Sequence, residues 1–187
     1  MNDSILYLWQ TCRVIASETR LRLLWEVFEN SEMCVSALAE KSSMAPASAS
    51  TQLRMLCDEG LIQDHRRGQQ VYYEAKSTNA PPHILQLKTA LKKCCDNTVS
   101  FQSIAYQATG FTHQRRIELL KRIAETSLSL HDLAEQTVMS PGALQRHIHK
   151  LEARQYIKAK GKLYTLSTPA GHLAKALVKI ITESKYN

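Results

Sequence analysis

The stretch "APASASTQLRMLCDEGLI", residues 45–62, begins like a loop and continues as an amphipathic helix. Proline is tolerated in the first turn of a helix, because the N–H group that it lacks has no intrahelical partner there. The stretch therefore predicts a helix that begins at Pro46 and buries Leu53 and Leu56. Gly60 is suited to end this helix. Polar side chains are left on the exposed face of the helix: Ser48, Ser50, Thr51 and Arg54.

A second copy of this stretch follows further along the chain. The segment "LAEKSSMAPASASTQLRMLCDEGLI", residues 38–62, aligns without a gap with "LAEQTVMSPGALQRHIHKLEARQYI", residues 133–157. Pro46 matches Pro141, and the buried leucine positions also match. Such self-similarity is typical of a duplicated structural unit. We therefore predict two domains, residues 1–97 and residues 98–187.

Each copy is predicted to contain four helices, a pair of short strands and a final helix. The β-prone runs are "LIQDH" and "QVYYEA" in the first copy, and "YIKAK" and "KLYTL" in the second. Glycine between each pair favours a hairpin. Three helices with a central helix-turn-helix and a hairpin describe a winged helix. The predicted fold class is mainly α with small β-hairpins, arranged as two tandem winged helix-turn-helix domains.

The net charge of +7 lies entirely in the second half of the chain. Residues 1–100 hold 11 Lys and Arg against 11 Asp and Glu, whereas residues 101–187 hold 13 against 6. An excess of basic residues favours a polyanionic partner, most simply double-stranded DNA. A solvated basic face is the alternative that charge alone leaves open.

The helices near 46–57 and 141–152 are predicted to enter the DNA major groove. A recognition helix contacts base edges with polar side chains near its N-terminus while its apolar side packs on the core. Basic hairpin tips are placed to contact phosphates or the minor groove. Beyond the four polar residues of the first helix, the predicted DNA contacts are Arg66, Arg67, Gln145, Arg146, His149, Lys150, Lys158, Lys160 and Lys162.

The first copy resembles the ArsR-type (arsenical-repressor-like) transcription regulators. The resemblance rests on "SETRLRLL", "MCVSALAE", "SASTQLRMLCDEGLI" and "RRGQQVYYEA". The family usually has histidine where this chain has Gln52, and the second copy restores it at His147. The resemblance implies a sequence-specific DNA-binding regulator, most simply a repressor.

The resemblance also implies dimerisation through the first and last helices of each unit. Two arrangements remain open for a chain that holds two units. The chain is either a pseudo-dimer that reads two different half-sites, or a homodimer that uses one unit for pairing.

No metal site and no cofactor are predicted. Many ArsR-type regulators bind metals through a cysteine pair, but the matching run here is "CVSAL", and only Cys34 is present. One thiolate cannot complete a tetrahedral thiolate site. Other relatives bind metals along the last helix, where this chain offers His83 and Asp96 without the usual paired spacing.

A thiol-based redox switch is a refinement of the repressor hypothesis. Cys94 and Cys95 follow two lysines, and neighbouring positive charge lowers a thiol pKa. Cys12 lies on the first helix, which packs near the last helix in relatives. The alternative is that these residues are free, buried thiols of the core.

Other classes of function find little support in the sequence. The chain has no G-x-S-x-G, no HExxH and no glycine-rich phosphate loop, so we do not expect an enzyme. It has no run of about 18 apolar residues, so no membrane span is expected. Five cysteines without a CxxC motif favour a cytoplasmic protein. A winged-helix adaptor that binds a partner protein remains the alternative from another class.

Overall fold

The first half of the chain forms one complete winged unit. The computed structural model describes residues 7–76 and 80–183. The first unit contains helices α1 (Leu8–Ile15), α2 (Glu18–Glu29), α3 (Val35–Lys41), α4 (Pro46–Asp58) and α5 (Pro82–Asp96), and strands β1 (Met33–Cys34), β2 (Gln63–Arg67) and β3 (Gln70–Glu74).

The second half repeats the same order of elements. Its helices are α6 (Phe101–Ala108), α7 (Gln114–Glu125), α8 (Leu130–Gln136), α9 (Pro141–Ala153) and α10 (His172–Glu183), and its strands are β4 (Leu128–Ser129), β5 (Ile157–Lys160) and β6 (Leu163–Leu166). This architecture confirms the predicted fold class, mainly helical with small β-hairpins, and the repeated order of elements agrees with two tandem winged helix-turn-helix units.

Each unit holds a three-stranded antiparallel sheet, although only a strand pair was predicted. The sheet orders are β1-β3-β2 and β4-β6-β5. The additional strands have two residues each, and Met33 pairs with Tyr73 as Leu128 pairs with Tyr164. Two residues are too few to show an alternating pattern in the sequence. The second wing is shorter than the first, with strands of four rather than five residues.

The ends of the helices follow local signals in the sequence. The Ser140 side chain accepts a hydrogen bond from the backbone of Ala143, and Pro141 occupies the first turn of α9. Ser129 and Asp132 form a complete capping box at the start of α8. Gly60 has a φ of 68°, the left-handed conformation that ends α4. These local signals fix where the two recognition helices begin and where the first one ends.

One continuous core joins the two units. Helices α5 and α10 lie side by side, and α1 and α2 pack against α6. The Gln86 side chain, near the start of α5, donates to the Glu183 carboxylate at the end of α10, over 3.2 Å. This places the two helices in antiparallel orientation. The rings of Trp25 and Phe101 meet edge to face across the same interface, with centroids 5.3 Å apart. The first and last helices of each unit, together with α2, make the contacts between the two units.

The predicted boundary between residues 97 and 98 falls in the connection from α5 to α6. Because apolar side chains of both units share one core, the boundary separates two repeats of the fold. Independent folding of residues 1–97 and of residues 98–187 stays a prediction.

Candidate nucleic-acid interface

The two recognition helices are held by the same pattern of buried side chains. In α4, Ala49, Leu53 and Leu56 are buried, and in α9 the buried residues are Leu144, Ile148 and Leu151. Helical geometry places the residues at i+2 and i+5 from the first buried position on the opposite face. In α4 these are Thr51 and Arg54, and in α9 they are Arg146 and His149. The two helices therefore present unequal polar faces to solvent.

Nearly all of the predicted DNA-contacting residues are accessible. Twelve of the thirteen are exposed, namely Ser48, Ser50, Thr51, Arg54, Arg66, Arg67, Gln145, Arg146, His149, Lys158, Lys160 and Lys162. Lys150 differs and is half-buried. The Thr51 hydroxyl donates to the carbonyl of Ala47 over 3.0 Å, and its oxygen can still accept from a ligand. Accessibility meets one requirement of the DNA-binding hypothesis, and DNA contact by these residues stays a prediction.

Arg20, which was not among the predicted site residues, connects the first recognition helix to the end of α1 through hydrogen bonds. Arg20, in the first turn of α2, donates to the carbonyl of Val14 over 2.6 Å and to the carbonyl of Arg13 over 3.0 Å. It also donates to the side-chain oxygen of Gln52 on α4, over 2.9 Å. One guanidinium thus links the end of α1 to the middle of the recognition helix.

Arg116 occupies the same place in the second unit and is more deeply buried, with 5% of its surface exposed. It donates to the carbonyls of Gly110 and Thr109 over 2.9 and 3.0 Å, and to the Thr112 hydroxyl over 2.8 Å. A terminal nitrogen lies 3.4 Å from Nδ1 of His147 on α9. Burial, followed by the charge of Arg154, lowers the pKa of Arg116 to about 10. The duplicated arginine was visible in the repeat, as "ETRL" over "QRRI".

Positive charge accumulates around Arg116 without a compensating carboxylate. Burial, followed by the charges of Arg116 and Arg154, lowers the pKa of Lys150. Burial and then the nearby cations also lower the pKa of His113 at the start of α7. None of these four side chains has an ion pair within residues 7–76 and 80–183. We call His113, Arg116, Lys150 and Arg154 the basic cluster.

The first unit has no such cluster at the matching positions. Glu59 stands where the second unit has Arg154, and its carboxylate accepts a hydrogen bond from the Thr11 hydroxyl over 2.6 Å. Met55 stands where the second unit has Lys150. Part of the charge asymmetry of the sequence therefore lies beside the second recognition helix.

The two wings also differ in whether their basic residues form ion pairs. Arg67 forms an ion pair with Glu32 over 3.1 Å and lies over the ring of Tyr72. His65 also bonds to Glu32. The lysines at the tip of the second wing, Lys160 and Lys162, have no ion pair in the described part of the chain. Glu32, which sequence reasoning missed, thus neutralises part of the first wing.

The cysteines proposed for a redox switch are buried. Burial raises the pKa of Cys12, Cys94 and Cys95, and in Cys12 the charge of Glu59 adds to the effect. Cys12 lies in α1, and Cys94 and Cys95 lie in α5, all within the shared core. A thiol is far less reactive than a thiolate. These environments favour the core-packing interpretation over the redox switch, which stays untested.

Neither metal binding nor membrane insertion finds a site in the residues that the structure describes. Within residues 7–76 and 80–183, no three His, Cys, Asp or Glu side chains are grouped so that they could hold a metal ion. Within the same ranges, no helix combines the length and the apolar character that crossing a membrane requires.

The family comparison agrees with the geometry of the first unit. Residues 17–63 match the family model described as winged helix-turn-helix DNA-binding. Over helices α2 to α4, the chain is therefore similar to winged helix-turn-helix DNA-binding domains. The matched range runs from the N-cap of α2 to the first residue of β2 and includes the whole of α4. No curated protein matches the chain.

Proposed function

We propose that the chain is a sequence-specific transcription regulator of the ArsR type, without catalytic activity, that represses by occupying DNA. The observation that carries this proposal is the repeated placement of an exposed polar helix face, on α4 and on α9, around one shared core. Recognition helices held on a common frame are how helix-turn-helix proteins read paired half-sites.

The proposal includes a pseudo-dimer within a single chain. The first and last helices of each unit pack against one another inside the chain, as α1 with α6 and α5 with α10. Relatives of the ArsR type use these helices to pair two chains. A single copy of this protein would therefore hold both recognition helices, and a homodimer would not be needed for binding.

The two units would contribute unequally to DNA binding. Arg146 and the lysines of the second wing are exposed cations for phosphate contacts, which give affinity independent of sequence. The first unit offers Ser48, Ser50, Thr51 and Arg54, with less net charge. We infer that the second unit supplies most of the salt-dependent affinity. Because the two polar faces differ, the two half-sites should differ in sequence.

The adaptor hypothesis gains no specific support from the surface. Large exposed apolar side chains lie on different elements, such as Leu85 on α5, Tyr106 on α6 and Leu163 on β6. Single exposed apolar residues are normal on a soluble domain. A contiguous apolar face for a partner protein would have favoured the adaptor.

Salt dependence tests the phosphate contacts of the second unit. Duplex binding should be measured by fluorescence anisotropy from 50 to 200 mM salt for wild type and for Arg146→Ala/Lys158→Ala. Each lost phosphate contact reduces the slope of log K against log salt by about 0.9, so we expect a reduction of about 1.8.

Lys76→Ala/Lys92→Ala serves as the matched control, because it removes the same charge away from both recognition helices and both wing tips. Its slope should stay near that of the wild type. Equal slopes for all three proteins would contradict the proposal, and so would equal reductions in the two variants.

A further inference from the structure

A groove between the two units lies apart from both recognition helices. It runs between α5 and α10, has a volume of about 440 Å³, and has an apolar floor of Leu85, Ala90 and Ala176. Lys93 lines it from the first unit, and Lys175 and Lys179 line it from the second. Volumes of this size are typical of sites for small organic molecules. Helix α4, by contrast, packs on α2 and α3.

The cations of the groove are only partly neutralised. Lys179 forms an ion pair with Glu183 over 3.4 Å. Lys93 and Lys175 have no ion pair within residues 7–76 and 80–183, and both are exposed. Two unpaired lysines from different units over an apolar floor are complementary to an anion that carries an apolar body.

Gln86 links α5 and α10 at one end of the groove. Its amide nitrogen donates to Glu183, while its side-chain oxygen Oε1 is buried and lacks a hydrogen-bond partner in the described part of the chain. Gln86 also lines the groove. Buried acceptors are normally satisfied, because leaving one unpaired costs free energy. Because this oxygen is buried, a ligand in the groove does not reach it.

We propose that the α5–α10 groove is a binding site for a small amphipathic organic anion, a carboxylate or sulfonate with an apolar body. The acidic group binds between Lys93 and Lys175, and the body rests on Leu85 and Ala176. Because the groove is shared by both units, an occupant favours one relative placement of the units. Through this placement the ligand changes DNA affinity, a coupling that rests on the proposed function.

The fluorescent probe 8-anilino-1-naphthalenesulfonate, which has an acidic group and an aromatic body, tests the site directly. The full chain should be titrated with this probe as wild type, as Lys93→Gln/Lys175→Gln, and as the matched control Lys41→Gln/Lys76→Gln. The groove variant should bind the probe about tenfold more weakly, because it loses two charge-assisted contacts at a partly exposed site. Octanoate should displace the probe from wild type, whereas uncharged 1-octanol should not.

Several outcomes would overturn the site. These are no saturable binding to wild type, equal affinity in wild type and groove variant, or equal displacement by octanoate and octanol. The coupling is tested separately, by measuring whether octanoate changes duplex affinity in wild type but not in the groove variant. Probe binding with unchanged duplex affinity would overturn the coupling alone. Failure of the chain to bind any duplex would overturn the proposed function, while the probe titration would still decide the site.

Discussion

Replacement of Arg116 by methionine should destabilise the protein by about 3 kcal/mol. The guanidinium makes three close hydrogen bonds, to the carbonyls of Gly110 and Thr109 and to the Thr112 hydroxyl. Hydrogen bonds from a charged donor contribute about 1.5–3 kcal/mol each. The cost of burying the charge, which lowers the pKa of Arg116 to about 10, offsets part of that sum. Methionine would fill most of the space but leave the Gly110 carbonyl without this donor.

The equivalent replacement of Arg20 is the matched comparison. Arg20 also donates to two carbonyls, of Val14 and Arg13, but it is only half-buried, so water can replace its bonds. We expect a loss of about 1 kcal/mol, in the range for hydrogen bonds that water can substitute.

Urea unfolding at neutral pH, followed by circular dichroism, measures both losses. The account requires Arg116→Met to cost clearly more than Arg20→Met. Equal losses of unfolding free energy, or a loss below about 1 kcal/mol for Arg116→Met, would show that burial does not make Arg116 the more stabilising of the two arginines.

Three further changes have definite expected outcomes. Burial, followed by the charges of His113 and Arg116, lowers the pKa of His147 to about 4, so the free energy of unfolding should fall as pH drops from about 6.5 to about 4. In His147→Gln the urea midpoint should fall less over this pH range, and a pH profile identical to that of the wild type would contradict the expectation. Gly110→Ala would place Cβ 2.6 Å from the ring of buried Tyr156 and should lower the free energy of unfolding by about 1–3 kcal/mol. Adding Tyr156→Leu should relieve part of this loss, so a double variant whose loss equals the sum of the two single losses would argue against the clash. Glu32→Gln should free Arg67 and steepen the salt dependence of duplex binding by up to about 0.9, and an unaltered slope would show that the first wing makes no phosphate contact.

The sequence predicted those parts of the fold that depend on local signals. The proline at position 46, the capping box at Ser129 and the glycine at position 60 each act on the neighbouring backbone, so each could be recognised from residue type and spacing. Repetition strengthened these predictions, since two divergent copies carried the same signals.

The features that the sequence did not reveal depend on distant partners. The short strand at Met33 exists because it pairs with β3, which lies about 40 residues further along the chain. Neutralisation of Arg67 by Glu32 depends on the same pairing. The partial burial of Lys150 depends on the packing of α9 beside Arg116. None of these features leaves a periodic pattern in the sequence. Counting charges therefore overestimated the number of unpaired cations in the first wing, and it placed Lys150 on the exposed face of α9.

Selection of bound duplexes from a random pool, with purified reduced protein at moderate salt, tests whether one chain reads two half-sites. We expect a motif with two unlike half-sites at a fixed spacing, because the faces of α4 and α9 differ and both belong to one chain. Two identical half-sites would contradict the pseudo-dimer and indicate symmetric pairing of two chains. Recovery of no motif, with binding that vanishes as salt rises, would contradict sequence-specific regulation altogether.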